Sequence, residues 1–114
     1  MRVLVTGGRD FSDYWLVVEV LDGQHKAAPI TTLIEGGALG ADRFARRWAK
    51  DRGIKVATFE AEWGRGAYAG PMRNRRMLVE GKPDLVIAFP GGKGTANMVR
   101  QAREAGVLVR EDVE

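Results

Sequence analysis

Short aliphatic runs at residues 2–6, 31–35, 55–59, 84–89 and 107–109 alternate with helix-length segments along the 114-residue chain. That alternation constrains the fold more than any other feature. Runs of this length, rich in Val, Ile and Leu on both sides of the pleat, predict strands buried on both faces. The intervening segments carry helical spacing. Ala41, Phe44, Ala45, Trp48 and Ala49 mark one apolar face, and Met98, Val99, Ala102 and Ala105 another. Tyr14 to Leu21 is nearly all apolar, which predicts a first helix covered on much of its surface; residues 72–80 predict a shorter, more basic one. Ser12 is placed to cap the first helix, and Gly23, Gly53, Gly81 and Gly106 to stop helices in the left-handed conformation. The resulting order, β-α-β-α-β-α-β-α-β, predicts a single Rossmann-like α/β domain over residues 1–114. Its sheet would be mainly parallel and five-stranded, with helices on both faces. The long irregular stretch at 60–71, holding Trp63, Gly64, Gly66, Tyr68 and Gly70, is long enough to be functional.

Composition narrows the chemistry. There is no cysteine, which excludes disulfides, thiol catalysis and cysteine-ligated zinc, and His25 is the only histidine, so one chain cannot build a multi-histidine metal site. No metal and no cofactor is expected. The net charge of +3 suits an anionic ligand but is low for a nucleic-acid binder. No run is apolar enough to span a bilayer, and the first residues read as a strand rather than a signal peptide, so no membrane partner and a cytoplasmic location are expected. Trp15 and Trp48, on apolar helix faces, are expected in the core, and His25 as a solvated residue near a helix end.

In doubly wound sheets, ligands bind beyond the carboxyl ends of the strands, where the strand order reverses. Glycine-rich loops follow three of the predicted strands here: Gly7-Gly8-Arg9-Asp10, Gly36-Gly37-Ala38-Leu39-Gly40-Ala41-Asp42, and Pro90-Gly91-Gly92-Lys93-Gly94-Thr95. Glycine lets the backbone approach a ligand, and the helix that follows adds partial positive charge. Meeting at one sheet edge, the loops predict a phosphate pocket. The last is not a Walker A loop, and Gly7-Gly8 does not open a G-x-G-x-x-G fingerprint, so an ordinary P-loop NTPase or NAD dehydrogenase is disfavoured.

Four strings in order, TGGRDF (6–11), GGALGAD (36–42), AGPMRNRRM (69–77) and DLVIAFPGGKGT (84–95), resemble the YspA/YpsA-related branch of the SLOG superfamily. That superfamily also holds the LOG-type phosphoribohydrolases and DprA. The resemblance implies a Rossmann-like fold and a nucleotide-derived ligand, such as an ADP-ribose-like or cyclic nucleotide. LOG enzymes carry PGGxGTxxE, whose glutamate assists cleavage of the N-glycosidic bond; here that position is Met98. A thioether cannot act as acid, base or charge stabiliser, so the LOG mechanism does not transfer in full. Arg73-Asn74-Arg75 resembles the basic segment that these relatives place before a helix, where an arginine can grip phosphate bidentately.

Single residues carry competing readings. Lys93, Arg9 and Arg73 are read as ligand contacts. Asp42 either binds ribose hydroxyls or stabilises its helix N-terminus. Glu35 and Asp10, with Glu62, are the surviving catalytic carboxylates, although the preferred reading of Glu35 is a carboxylate that only holds Arg9 or Arg73 in place. Trp63 and Tyr68 either stack on a base, pin their loop to the core, or line a dimer contact. Three functions follow: a nucleotide-binding or sensing module, a nucleotide N-glycosidase of the phosphoribohydrolase type, and a DprA-like single-strand nucleic-acid binder, for which Arg73, Arg75 and Arg76 speak. Relatives of this fold often dimerise, and the apolar first helix offers a face for a homodimer or higher homo-oligomer.

Overall fold

Val3 and Val5 point to one side of the first strand and Leu4 to the other, and all three are wholly buried. The strand is therefore sandwiched, as its unbroken aliphatic run requires. In the computed structural model, which describes residues 1–111, the elements run β1 (Arg2–Thr6), α1 (Tyr14–Ala27), β2 (Thr32–Glu35), α2 (Ala41–Asp51) and β3 (Lys55–Thr58). A 3-10 segment (Trp63–Tyr68) and α3 (Ala69–Val79) follow, then β4 (Leu85–Ala88), α4 (Lys93–Glu104) and β5 (Leu108–Arg110). All four pairings are parallel, and the sheet order is β3-β2-β1-β4-β5. The expected α/β fold with its parallel five-stranded sheet is what forms. The order reverses between β1 and β4, which is where such a sheet opens a crevice.

Two cores flank the sheet. On one side Val17 and Leu21 of α1 and Ala45, Trp48 and Ala49 of α2 pack on Val3, Val5, Leu33 and Ile87. On the other, Met77 of α3 and Met98 and Ala102 of α4 pack on Leu4, Ile34 and Val86. Trp48 is fully buried, as its helical spacing implied, and its indole Nε1 donates to Asp22 at 2.8 Å. No helix among the described residues is long and apolar enough to cross a membrane.

Several local expectations are corrected. Asp13, not Ser12, caps α1, its carboxylate accepting from the Leu16 amide at 3.1 Å. Gly23 lies inside α1, which runs on to Ala27 because Gln24 and His25 still have partners in Met1 and the Ile30 amide. His25 is thus half-buried, accepting through Nδ1 and lying edge-on to Trp48, rather than solvated. Trp15 is 75 % exposed and not core; α1 buries only Val17, Val20 and Leu21, so its outer face is open. Gly53 and Gly106 do adopt positive φ, but after α3 it is Lys82, at φ 48°, that takes the left-handed turn. Gly81 serves instead by closeness, since a Cβ there would overlap the Met77 carbonyl oxygen. The 60–71 stretch is less irregular than expected, because the 3-10 segment and the first turn of α3 occupy most of it.

Candidate functional site

The loops after β1, β2 and β4 meet at the crevice between β1 and β4 and are packed backbone to backbone. The Gly8 amide donates to the Pro90 carbonyl at 2.9 Å, and the Gly8 carbonyl accepts from the amides of Phe11 at 3.1 Å and Ala41 at 3.4 Å. This closeness is possible only without side chains. A Cβ on Gly7 would lie 2.6 Å from that of Ala41, one on Gly40 would overlap the Gly8 carbonyl, and one on Gly91 would overlap Thr95 Oγ1. Gly40 also sits at φ 75°, ψ −129°, a backbone region that is essentially glycine's alone.

Gly92 and Gly94 differ: a Cβ on either would meet nothing within 4 Å, so this face of the loop looks onto open space. Gly92 is the N-cap of α4 and makes no side-chain cap bond. The helix bonds begin with the Ala96 amide donating to the Gly92 carbonyl at 3.0 Å, which leaves the amides of Lys93, Gly94 and Thr95 in the uncapped first turn. Lys93, Arg9 and Asp10 are exposed around this mouth and Thr95 is half-buried. Uncapped amides, a helix dipole and two cationic side chains suit an anion.

Beside this mouth lies a buried polar network. Glu35 is fully enclosed; its Oε1 accepts from the Gly37 amide at 2.7 Å and its Oε2 from the Thr58 hydroxyl. Asp42, 5 % exposed, accepts through Oδ2 from the amides of Gly36 at 3.1 Å and Ala38 at 3.4 Å, and its Oδ1 has no partner among the described residues. Burial first, and the Glu35 carboxylate second, push Asp42 up to about 7. Arg73 donates from Nη1 to the Gly36 carbonyl at 2.7 Å and from Nε to Asn74 Oδ1 at 2.9 Å. Burial pulls its pKa below the ordinary arginine value, with Asp42 and Glu35 opposing. Asn74, almost fully buried, donates to the Gly94 carbonyl at 3.2 Å and to Asn97 Oδ1 at 3.1 Å. Gln101 completes the chain, donating to Asn97 at 2.7 Å and to the Pro71 carbonyl at 3.0 Å.

Residues predicted to touch ligand thus divide. Glu35, Asp42, Arg73 and Asn74 hold the β2–α2 and β4–α4 loops, while Gly92, Lys93, Gly94, Arg9 and Asp10 are exposed. Thr58, Asn97 and Gln101 escaped the sequence reading; the polar pair Asn97 and Gln101, four apart on a core-facing helix, was the available signal. Met98 is fully buried among Leu4, Ile34, Met77 and Val86, so the position of the missing glutamate is a core position here. Trp63 and Tyr68 are 68 % and 76 % exposed, so neither pins its loop to the core. Glu62 pairs with Arg65 at 2.5 Å. The 3-10 segment and α3 border an open cavity of about 230 Å³ lined by Glu62, Arg65, Ala69, Met72, Arg73 and Arg76.

Comparison with known proteins agrees with this architecture. The fold is similar to that of DNA processing protein A (DprA) from Streptococcus pneumoniae, with a TM-score of 0.56 and 17 % sequence identity over 96 % of this chain. The chain spans 58 % of that structure's length, and at this identity the likeness concerns the fold alone. The Gene 61 protein of Mycobacterium phage D29 is 38 % identical over 117 residues, covering 95 % of this chain and 93 % of the phage protein. Residues 1–66 match the model of the YspA, cpYpsA-related SLOG family, and with more than half of its length so matched the chain belongs to that family.

Proposed function

We propose that this chain binds a nucleotide or nucleotide derivative as a cytoplasmic binding or sensing module, with a phosphate seated on Gly91–Thr95 at the start of α4. The observation that carries the reading is the uncapped α4 N-terminus at the sheet's switch point, with Gly92 and Gly94 facing open space. Lys93 and Arg9, exposed on the loops after β4 and β1, supply positive charge for the phosphate, and the buried network of Asp42, Arg73 and Asn74 fixes the two loops that frame it. An ADP-ribose-like or cyclic nucleotide suits such a site, and neither metal nor cofactor is required.

The N-glycosidase alternative lacks a free carboxylate at its centre. Met98 is core, and each oxygen of Glu35 already accepts a hydrogen bond; Asp10 and Glu62 are open to solvent, and Glu62 is paired with Arg65. The single-strand nucleic-acid reading has one observation in its favour: Trp63, Tyr68 and Arg75 are exposed close together in sequence. A steep fall of oligonucleotide affinity with salt would support it.

The Gly92→Asp variant tests the main reading, because it separates binding from folding. Its carboxylate supplies the missing N-cap, so stability is expected to hold or rise by a few tenths of a kcal/mol. The same carboxylate occupies and repels the phosphate position, so affinity for AMP, GMP, CMP, UMP, NAD or ADP-ribose, by calorimetry, is expected to fall at least tenfold. Undiminished affinity in this variant overturns the loop assignment. A wild-type protein that binds none of these ligands overturns the nucleotide reading, and release of free base favours the enzyme.

A further inference from the structure

The cavity between the 3-10 segment and α3 lies outside the glycine loops, and its lining is unusual. Three arginines, Arg65, Arg73 and Arg76, line it together with one acid, Glu62, and the apolar residues Ala69 and Met72. At about 230 Å³ it falls below the roughly 300 Å³ at which whole small-molecule sites begin, so it suits a group rather than a complete nucleotide. Its internal charge pairing is weak. Arg65 and Glu62 meet at 2.5 Å, but both side chains are 64 % exposed, and Arg76 reaches Glu80 at 3.5 Å from a similarly open position. Exposed pairs of this kind contribute little and are readily exchanged for a dianion offering bidentate geometry.

Two of the three arginines are held in place. Arg76 lies over the Phe59 ring, 5.5 Å from its centroid, and Arg73 is fixed by its bonds to Gly36 and Asn74. The cavity is linked to the α4 mouth through consecutive residues: Arg73 lines it, and Asn74 holds the Gly94 carbonyl. We propose that this cavity is a second anion site, and that the natural ligand is a nucleotide carrying a second phosphate separated from the first. This rests on the nucleotide reading for the identity of the ligand, but not for the site itself.

Trp63 provides a local reporter, being 68 % exposed with its ring against Gly70 at the start of α3. Trp fluorescence is titrated with inorganic pyrophosphate in the wild type, in Trp63→Phe to isolate the Trp63 signal, and in the double variant R65Q/R76Q. The double variant is expected to weaken the Trp63 response at least tenfold. In parallel, adenosine 3′,5′-bisphosphate is expected to bind the wild type at least tenfold more tightly than AMP. R65Q/R76Q is expected to bring the two within threefold while leaving AMP affinity unchanged. A pyrophosphate response that R65Q/R76Q does not alter, or its absence, overturns the site. An altered response with no change in the bisphosphate preference overturns the claim that one ligand bridges both sites. AMP binding that is lost in Gly92→Asp while the cavity titration shows nothing leaves the nucleotide reading standing alone. An arginine-dependent pyrophosphate response without AMP binding retains the cavity and removes that reading.

Discussion

The glycine-loop edge and the 3-10 segment with α3 are neighbours built on opposite plans. At the loop edge the backbones of three loops touch, and carboxylates and amides are buried together. In the 3-10 segment nothing is buried, and its aromatic residues Trp63 and Tyr68 stand in solvent. The same residue type therefore does different work in each. Gly40 and Gly66 share a backbone region, φ 75°, ψ −129° and φ 80°, ψ −148°. A Cβ on Gly40 strikes the Gly8 carbonyl, whereas one on Gly66 meets nothing within 4 Å. One glycine is demanded by packing and backbone together, the other by backbone alone.

The largest expected effect breaks the packed region. Gly40→Ala adds a steric overlap to a backbone strain of about 1–3 kcal/mol, so a loss above ~4 kcal/mol, or failure to fold, is expected in urea denaturation. Gly66→Ala should show the strain alone, about 1–3 kcal/mol. Equal losses in the two would remove the distinction between the regions.

The next effect is a pH dependence confined to the packed region. Asp42 ionises near 7 in the fold against 3.8 for a free aspartate. Between those values the folded state holds a proton that the unfolded chain releases, so stability is greatest in acid and falls as pH rises from about 4 to 7. The fall should be on the order of a few kcal/mol. Asp42→Asn should flatten this slope in denaturation midpoints measured at pH 5, 6, 7 and 8. A slope unchanged in the variant would place the titrating group elsewhere. The smallest effect belongs to the open region: Trp63→Ala and Tyr68→Ala should each leave stability within about 0.5 kcal/mol.

What the sequence disclosed follows the same divide. Strands, helix faces and the three loops were legible because periodicity and glycine position are local signals, and Trp48 and Met98 sit where helical spacing put them. Partners were not legible. Arg73 and Asn74 read as phosphate ligands because cationic and amide groups beside glycines suit one; the structure spends their donors on Gly36 and Gly94, acceptors from distant parts of the chain. The role of Asp42 was open between ribose and helix terminus; it lies in the first turn of α2, and its bonds to the Gly36 and Ala38 amides were not foreseen. Trp15 misled because an apolar stretch does not say which arc of its helix meets the sheet, and Ser12 because its neighbour Asp13 caps as well.

The central place of β1 bears on the order in which this molecule can be assembled. Its two neighbours are β2 and β4, and the second pairing joins Val3 to Leu85. During synthesis, β1 can pair with β2, and β2 with β3, long before β4 has left the ribosome, but the other edge of β1 must then stay open. The proposed phosphate mouth needs the loop after β4 against Gly8, so it comes into being only when that late, long-range pairing closes. A ligand seated there would bind the finished sheet and not its first half, and would thereby report, and favour, completion of the fold.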